Sequence, residues 1–371
     1  MIPNNSCSHH KLLNHIQVSK LKTSYGYEQN SWLIDEKPLT DFLNDLRENL
    51  KNDAYINFIN NFADLYPAWG MELLHEGEIR FVWKLIHMDS VVVPLFVCED
   101  DLDLSCIVIV AEIEKTKDFV YWNRIGYVLH DNENIEEEMK TGISKVEVYT
   151  DEDWEKYGDN IALESAGCLT WRKWISENWS EELYRRRMNY TLPYYMTEGN
   201  ICWLTDMKRV FDRNEYEDMV DLFWNLETLE KLQKIDKQKT IHTDECAKMM
   251  SELEITGRDF LEQHIKDFGE ILLHVLASDF ITEPLVEMLK KKDDKRDYGE
   301  NRNSRNNRDD INRDDIKIQI YCRLIEIMWY NGDDTVKNVV EVTILERLSD
   351  DDKVWKRFCE TVSDEFKMVI H

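Results

Sequence analysis

Three runs of carboxylates are the residues of this chain best suited to chemistry: Glu99-Asp100-Asp101-Leu102-Asp103, Asp151-Glu152-Asp153-Trp154-Glu155 and Ser349-Asp350-Asp351-Asp352. Clustered carboxylates can hold Mg²⁺ for phosphoryl chemistry, or supply a general acid and base to a hydrolysis. Each run also has an ordinary use. The last is placed to cap a helix N-terminus, and the first two read as solvated loops at the ends of strands. A metal-dependent hydrolase built on Asp100, Asp101 and Asp103 is therefore one reading. A surface made to meet a positive partner is the other, and the whole-chain charge favours it.

Other reactive side chains form no recognisable motif. Cys7-Ser8-His9-His10, with His15 nearby, could touch a metal, but no second cluster at zinc-finger spacing accompanies it. The eight cysteines, Cys7, Cys98, Cys106, Cys168, Cys202, Cys246, Cys322 and Cys359, include no C-x-x-C pair, and several lie in apolar runs. That usage predicts unpaired, buried thiols in a reducing cytoplasm. His264 and His274 fall in or beside a helical stripe and read as packed histidines. There is no glycine-rich phosphate loop and no nucleophile signature, so the chain reads as non-enzymatic, with no cofactor and no metal.

Aromatic residues supply the remaining candidates. Trp171, Trp174 and Trp179 recur near one face of a predicted helix that runs into Arg185-Arg186-Arg187, and Tyr190-Thr191-Leu192-Pro193-Tyr194-Tyr195 follows. Trp171 and Trp174 read as core. Tyr194 and Tyr195, in a proline turn, read as interface residues, because Trp, Tyr and Arg dominate binding hot spots. With the acidic loops, the predicted partner contacts are Asp100, Asp101, Asp103, Asp151, Glu152, Asp153, Tyr194 and Tyr195.

The elements that must position these residues follow from apolar periodicity. Residues 1–30 are polar and predict a flexible arm. Leu39, Phe42, Leu43, Leu46 and Leu50 recur at spacings of three and four, one buried helical stripe. Four strand-like runs come next, Ile79–Met88, Val91–Cys98, Leu104–Glu114 and Phe119–Leu129, with Lys145–Tyr149 a shorter fifth. Their short polar connections predict an antiparallel meander. Val91–Val97 and Ile107–Ala111 are continuously apolar, as central strands covered on both faces would be. The helix at 39–50 and one near 171–187 are the expected covers.

Beyond about residue 205 the pattern is helical. Met219, Leu222, Phe223, Leu226 and Leu229 form one stripe; Leu261, Ile265, Phe268, Leu272 and Val275 form another. Ile320, Leu324, Ile327 and Met328 form a third, stopped by Asn331-Gly332, after which Asp333 or Asp334 can cap the next helix. A final helix carries Val354, Trp355, Phe358 and Val362. Residues 290–317 mix acids, bases and Asn-Arg repeats too evenly to bury apolar surface, which predicts a disordered loop.

The expected architecture is α+β: a flexible arm (1–30), an antiparallel sheet with covering helices (31–205), then an all-helical domain of stacked, solenoid-like hairpins (206–371). Scarce glycine (12) and proline (6) disfavour a many-turned β-sandwich, and 43% hydrophobic residues suffice for real cores. Seventy-four acidic against 46 basic residues leave a net charge of −28. Such a surface repels nucleic acid and anionic membranes and attracts basic proteins. No apolar run approaches the roughly 20 residues of a membrane span, so the expected location is the cytoplasm.

Two segments resemble proteins of bacterial polymorphic-toxin loci. The first is Val93-Pro94-Leu95-Phe96-Val97-Cys98-Glu99-Asp100-Asp101-Leu102-Asp103, continuing through Ile107-Val108-Ile109-Val110-Ala111-Glu112 and Tyr121-Trp122-Asn123-Arg124-Ile125-Gly126. The second is Met328-Trp329-Tyr330-Asn331-Gly332-Asp333-Asp334 with Asn338-Val339-Val340-Glu341-Val342-Thr343-Ile344-Leu345-Glu346-Arg347-Leu348. It is similar to an uncharacterised helical domain attached to, or encoded beside, immunity proteins. The resemblance implies an immunity protein that neutralises a basic toxin, such as a nuclease, by direct binding. A metal-dependent hydrolase and a regulatory or phage-defence scaffold stay open beside it.

Overall fold

Ile16–Lys22 and Glu28–Ile34 form strands β1 and β2, paired antiparallel from Ile16↔Ile34 to Lys22↔Glu28. This corrects the later part of the flexible arm expected over residues 1–30, whose first twelve residues lie outside the described ones. Single apolar residues such as Ile16, Val18 and Leu21 give too weak a period to read alone, and the pairing comes from β2. Gly26 closes the turn at φ +91°, a left-handed conformation that side chains disfavour. The computed structural model describes residues 13–50, 54–74, 76–104, 106–129, 195–196, 198–236, 238–297 and 313–370. Lys37–Pro38 (β3) extends the first sheet, and helix α1 (Leu39–Asn49) follows.

A short helix α2 (Ala54–Asn57) leads to the second sheet: β4 (Tyr66–Pro67), β5 (Ser90–Val97), β6 (Val108–Lys115), β7 (Phe119–Val128) and β8 (Ile201–Asp212), each antiparallel to the next. The meander is as expected, and β5 is buried at every position after Ser90. Pro94, which has no N–H to donate, lies at the register shift between Pro94 and Phe96, and its carbonyl accepts from Trp69 Nε1 at 2.9 Å.

Several boundaries differ from the sequence reading. Of the run Ile79–Met88, expected as a strand, residues 79–86 belong to helix α3 (Glu76–Ile86). Phe81, Val82, Trp83, Leu85 and Ile86 are buried while Lys84 is exposed. A run this uniformly apolar cannot be told from a strand by period alone. β6 begins at Val108 rather than Leu104, which lies in the connection from β5. Lys145–Tyr149 and the helix near 171–187 lie outside the described residues. β8 occupies 201–212 and so runs into the span read as helical after 205, and helix α4 (Arg213–Gln233) starts only beyond it.

The first unit is held by a buried aromatic cluster. Trp32 on β2 meets Trp69 edge-on (4.9 Å), Phe96 of β5 edge-on (5.3 Å) and Phe223 of α4 face to face (5.3 Å). Such contacts add about 0.5–1.5 kcal/mol per pair beyond area burial. The chain divides into two compact units between Phe223 and Trp224, inside α4 and later than the expected boundary at 205.

The second unit is helical: α5 (Thr243–Ser251), α6 (Gly257–Phe268), α7 (Leu273–Ala277), α8 (Glu283–Asp297), α9 (Arg313–Asn331), α10 (Asp334–Val339), α11 (Glu346–Ser349), α12 (Asp352–Thr361) and α13 (Asp364–Ile370). π-helical turns at Ser278–Thr282 and Val340–Leu345 join α7 to α8 and α10 to α11. The sequence thus folds as α+β overall. α9 is apolar nearly all round, and α5, α8, α10 and α12 pack against it. The expectation of a disordered loop over 290–317 is corrected at both ends, where α8 extends to Asp297 and α9 begins at Arg313; residues 298–312 lie outside the described residues.

The caps match their sequence signals. Asp333 Oδ1 accepts from the Val336 N–H at 3.0 Å, and Asp351 Oδ1 accepts from Lys353 (3.0 Å) and Val354 (3.3 Å). At the stop before Asp333, a Cβ on Gly332 would lie 2.2 Å from the Met328 carbonyl oxygen, so only glycine fits. In α6 the expected stripe is buried only in part: Leu261 is buried, but Ile265 is exposed and Phe268 is 55% exposed. The helix lies at the surface of its unit and buries a narrower face than its apolar residues span.

Candidate functional site

The β5–β6 loop is tied by its own backbone. The antiparallel ladder continues one rung past Val97↔Val108, with the Cys98 N–H donating to the Ile107 carbonyl at 3.1 Å. The Leu102 N–H donates to the Cys98 carbonyl (3.0 Å), and the Leu102 carbonyl accepts from Leu74 (2.7 Å). These bonds hold Leu102 at φ +51°, where a branched side chain is strained. Closing the loop this way returns Cys106 to Cys98. The Sγ atoms of Cys98 and Cys106 and a carboxylate oxygen of Asp101 all lie within 4.8 Å of one another.

The two sulfurs are chemically unequal. A hydrogen bond from the Cys106 thiol, aided by the Asp100 and Asp101 backbone N–H groups, brings Cys98 down to about 7 against the opposing effect of burial. Cys106, as the donor, is pushed up by that bond and by burial. The pair is partly buried and Asp101 is exposed. Asp100, Asp101 and Asp103 do not gather into a carboxylate site: Asp100 and Asp101 face solvent, whereas Asp103 is 3% exposed and engaged within the fold. As a partner contact, Asp103 is therefore a correction.

Glu99 and Asp100 of this loop lie beside the β1–β2 turn. Asp64 accepts from Ser24 through both oxygens, N–H to Oδ1 at 2.6 Å and Oγ to Oδ2 at 2.8 Å, which fixes the turn beside it. Tyr25, 65% exposed at the tip, hydrogen-bonds Glu99, and the nearby charges of Glu99 and Asp64 raise its hydroxyl above the ordinary value. Partial burial, then Asp64 and Asp100, raise Glu99 in turn. Tyr27 is exposed on the same turn. The arrangement is an aromatic tip set among like-charged carboxylates, a surface that a cation would relieve.

Of the remaining predicted contacts, Asp151, Glu152, Asp153 and Tyr194 lie outside the described residues. Tyr195 is fully buried, its ring 5.5 Å from that of Phe81, so the interface assignment is corrected to core. Sequence reading missed Tyr25, Asp64, Cys98 and Cys106. The only local signals were a Tyr-Gly-Tyr turn and two cysteines bracketing an acidic loop.

None of the six described cysteines is in a disulfide, and burial pushes Cys246 up to about 12. Buried His264 accepts from the Leu272 N–H through Nε2 at 3.1 Å, the packed role expected for it. No helix among the described residues is long and apolar enough to cross a membrane.

Comparison with known proteins adds one finding. Residues 308–371 match a family described as a domain of unknown function (DUF7674), a stretch that includes the second of the two resembling segments. No curated protein matches the chain. No solved structure matches it either.

Proposed function

We propose that this protein is a non-enzymatic binding protein that grips a basic protein partner through the β1–β2 turn and the β5–β6 loop. The observation that carries the reading is Tyr25, exposed and set among the Asp64, Glu99 and Asp100 carboxylates. Tyrosine provides rigid contact area at low entropic cost, and clustered carboxylates steer a positive partner to it. The net charge of −28 extends that steering over the whole molecule and repels nucleic acid. A toxin neutralised by its immunity protein is the partner class implied by the resemblance in the β5–β7 and 328–348 segments. Asp100 and Asp101 remain the contacts expected from sequence, now joined by Tyr25, Asp64 and Glu99.

The test is capture of the tagged protein's partner from its native host at low salt, followed by association kinetics at rising ionic strength. A small basic partner whose association rate falls steeply with salt supports the reading. A captured partner that is acidic, or one whose association rate ignores salt, sinks it.

A further inference from the structure

We infer that Cys98, Asp101 and Cys106 bind one Zn²⁺ ion per chain. Three ligand atoms within 4.8 Å of one another need only small side-chain shifts to surround a single ion, given Zn–S bonds of about 2.3 Å and Zn–O bonds of about 2.0–2.2 Å. Two thiolates select a soft or borderline metal and disfavour Mg²⁺ and Ca²⁺, while the carboxylate favours Zn²⁺ over Cu⁺. Three protein ligands leave a tetrahedral ion one further position, for water.

The surroundings suit thiolate ligation. The Asp100 and Asp101 backbone N–H groups donate to the Cys98 sulfur, so the loop already offers hydrogen bonds to a negative thiolate. The frame is set by the Cys98–Ile107 rung, the Leu102–Cys98 bond and the Leu74–Leu102 bond rather than by the side chains themselves. Binding would release the thiol protons of Cys98 and Cys106, and the ion would neutralise part of the charge that the two thiolates and Asp101 bring together. The inference shares Asp101 with the partner-binding reading, but the metal titration below uses no partner, so the two can fail separately.

The full-length protein, reduced and stripped of metal, would be titrated with Co²⁺ alone and then with Zn²⁺ alone against a chromophoric chelator. The expected result is a thiolate-to-cobalt charge-transfer band that saturates at one equivalent and is bleached by Zn²⁺. Cys98→Ser and Cys106→Ser should each abolish the band. Asp101→Asn should weaken Zn²⁺ binding about tenfold or more, since even outer-shell losses cost 10–100-fold. Cys202→Ser should leave binding unchanged. The inference is overturned if the intact protein gives no band, or if stoichiometric binding survives both cysteine variants, which would place the ion elsewhere, for instance at Cys7, His9 and His10. It is overturned equally if the protein isolated under reducing conditions carries a Cys98–Cys106 disulfide. Because the first readout uses the unmodified chain, a variant that misfolds does not decide the outcome.

Discussion

Arg124 on β7 clasps Glu112, its register partner on β6, through two parallel hydrogen bonds, Nε to Oε2 at 2.8 Å and Nη2 to Oε1 at 2.6 Å. The same guanidinium lies 4.2 Å from the Trp203 ring of β8, so one side chain ties three adjacent strands. Its third bond, to Glu198, reaches an exposed carboxylate that adds little. Arg124→Lys should lose the fork and most of the stacking and destabilise the first unit by about 1–2 kcal/mol. Denaturant unfolding of the variant measures this, and an unchanged midpoint would refute it.

The partner surface can be separated into steering and anchoring parts. Glu99→Gln with Asp100→Asn should slow association with the captured partner and flatten its salt dependence, while changing dissociation little. Tyr25→Ala should instead speed dissociation, by about 30-fold if it is a hot spot worth about 2 kcal/mol. Surface-immobilised kinetics distinguish the two, and equal effects on both rates from each change would contradict this division.

Lys115 makes stability depend on alkaline pH. Its side chain is 1% exposed, and burial depresses its pKa even though Glu217 at 3.1 Å pulls the other way. Below the folded value the folded state carries the cost of a buried charge. Between that value and the ordinary lysine value of 10.5, the unfolded chain holds a proton that the folded chain has released. Stability from this group therefore rises with pH across that window. Lys115→Met removes the rise and leaves Glu217 paired to Arg213 at 2.8 Å. The variant should match or exceed the parent at neutral pH. The difference between the two unfolding curves from neutral to alkaline pH isolates the lysine, and a loss of about 3 kcal/mol at neutrality would show that the Glu217 pair dominates instead.

Asp333 acts on the acid limb instead, where stability again rises with pH, but here the shift stabilises the folded state at neutrality. Its bond from the Val336 N–H, and then that from His242, hold its carboxyl below the ordinary 3.8. Its contribution is complete above the unfolded value and is lost as pH falls through the folded one. Asp333→Ala should cost about 1 kcal/mol near neutrality. Asp333→Asn should keep most of the cap and shallow the acid limb of the stability curve, which acid titration of unfolding would read directly.

Gly332 and Asn331 secure the same corner. Buried Asn331 donates through Nδ2 to the carbonyls of Asp236 and Lys239, both at 2.8 Å. Asn331→Leu should cost about 1–3 kcal/mol by stranding those acceptors. Gly332→Ala should cost a similar amount, because its Cβ would press on the Met328 carbonyl and on Val336 Cγ1 at 2.6 Å. Thermal unfolding should show both, and tolerance of the alanine would mean that the end of α9 can shift.

Much of the fold was legible wherever a local rule acts alone. β5 and β7 follow from continuous or alternating apolar runs, and Asp333 and Asp351 are caps because their side chains reach N–H groups only two or three residues away. The misread elements depend on distant partners. Helix α3 and a buried strand present the same apolar composition. β1 is a strand because β2 lies beside it, and β8 pairs with β7 across a long stretch of intervening chain.

The candidate site divides along the same line. Sequence alone determined that the protein is strongly acidic, that a carboxylate run follows a central strand, and that no familiar catalytic motif accompanies it. Only the tertiary structure decided that Asp103 turns inward while Asp100 and Asp101 stay out, that Cys106 returns to Cys98, and that Tyr25 meets Glu99. The physical reason is that composition sets the charge a surface carries, whereas strand register and backbone-tied loops set which side chains come within a few ångströms. Neither thiol is informative in sequence, because its neighbour is defined by a ladder rung and a left-handed Leu102 that no local pattern encodes.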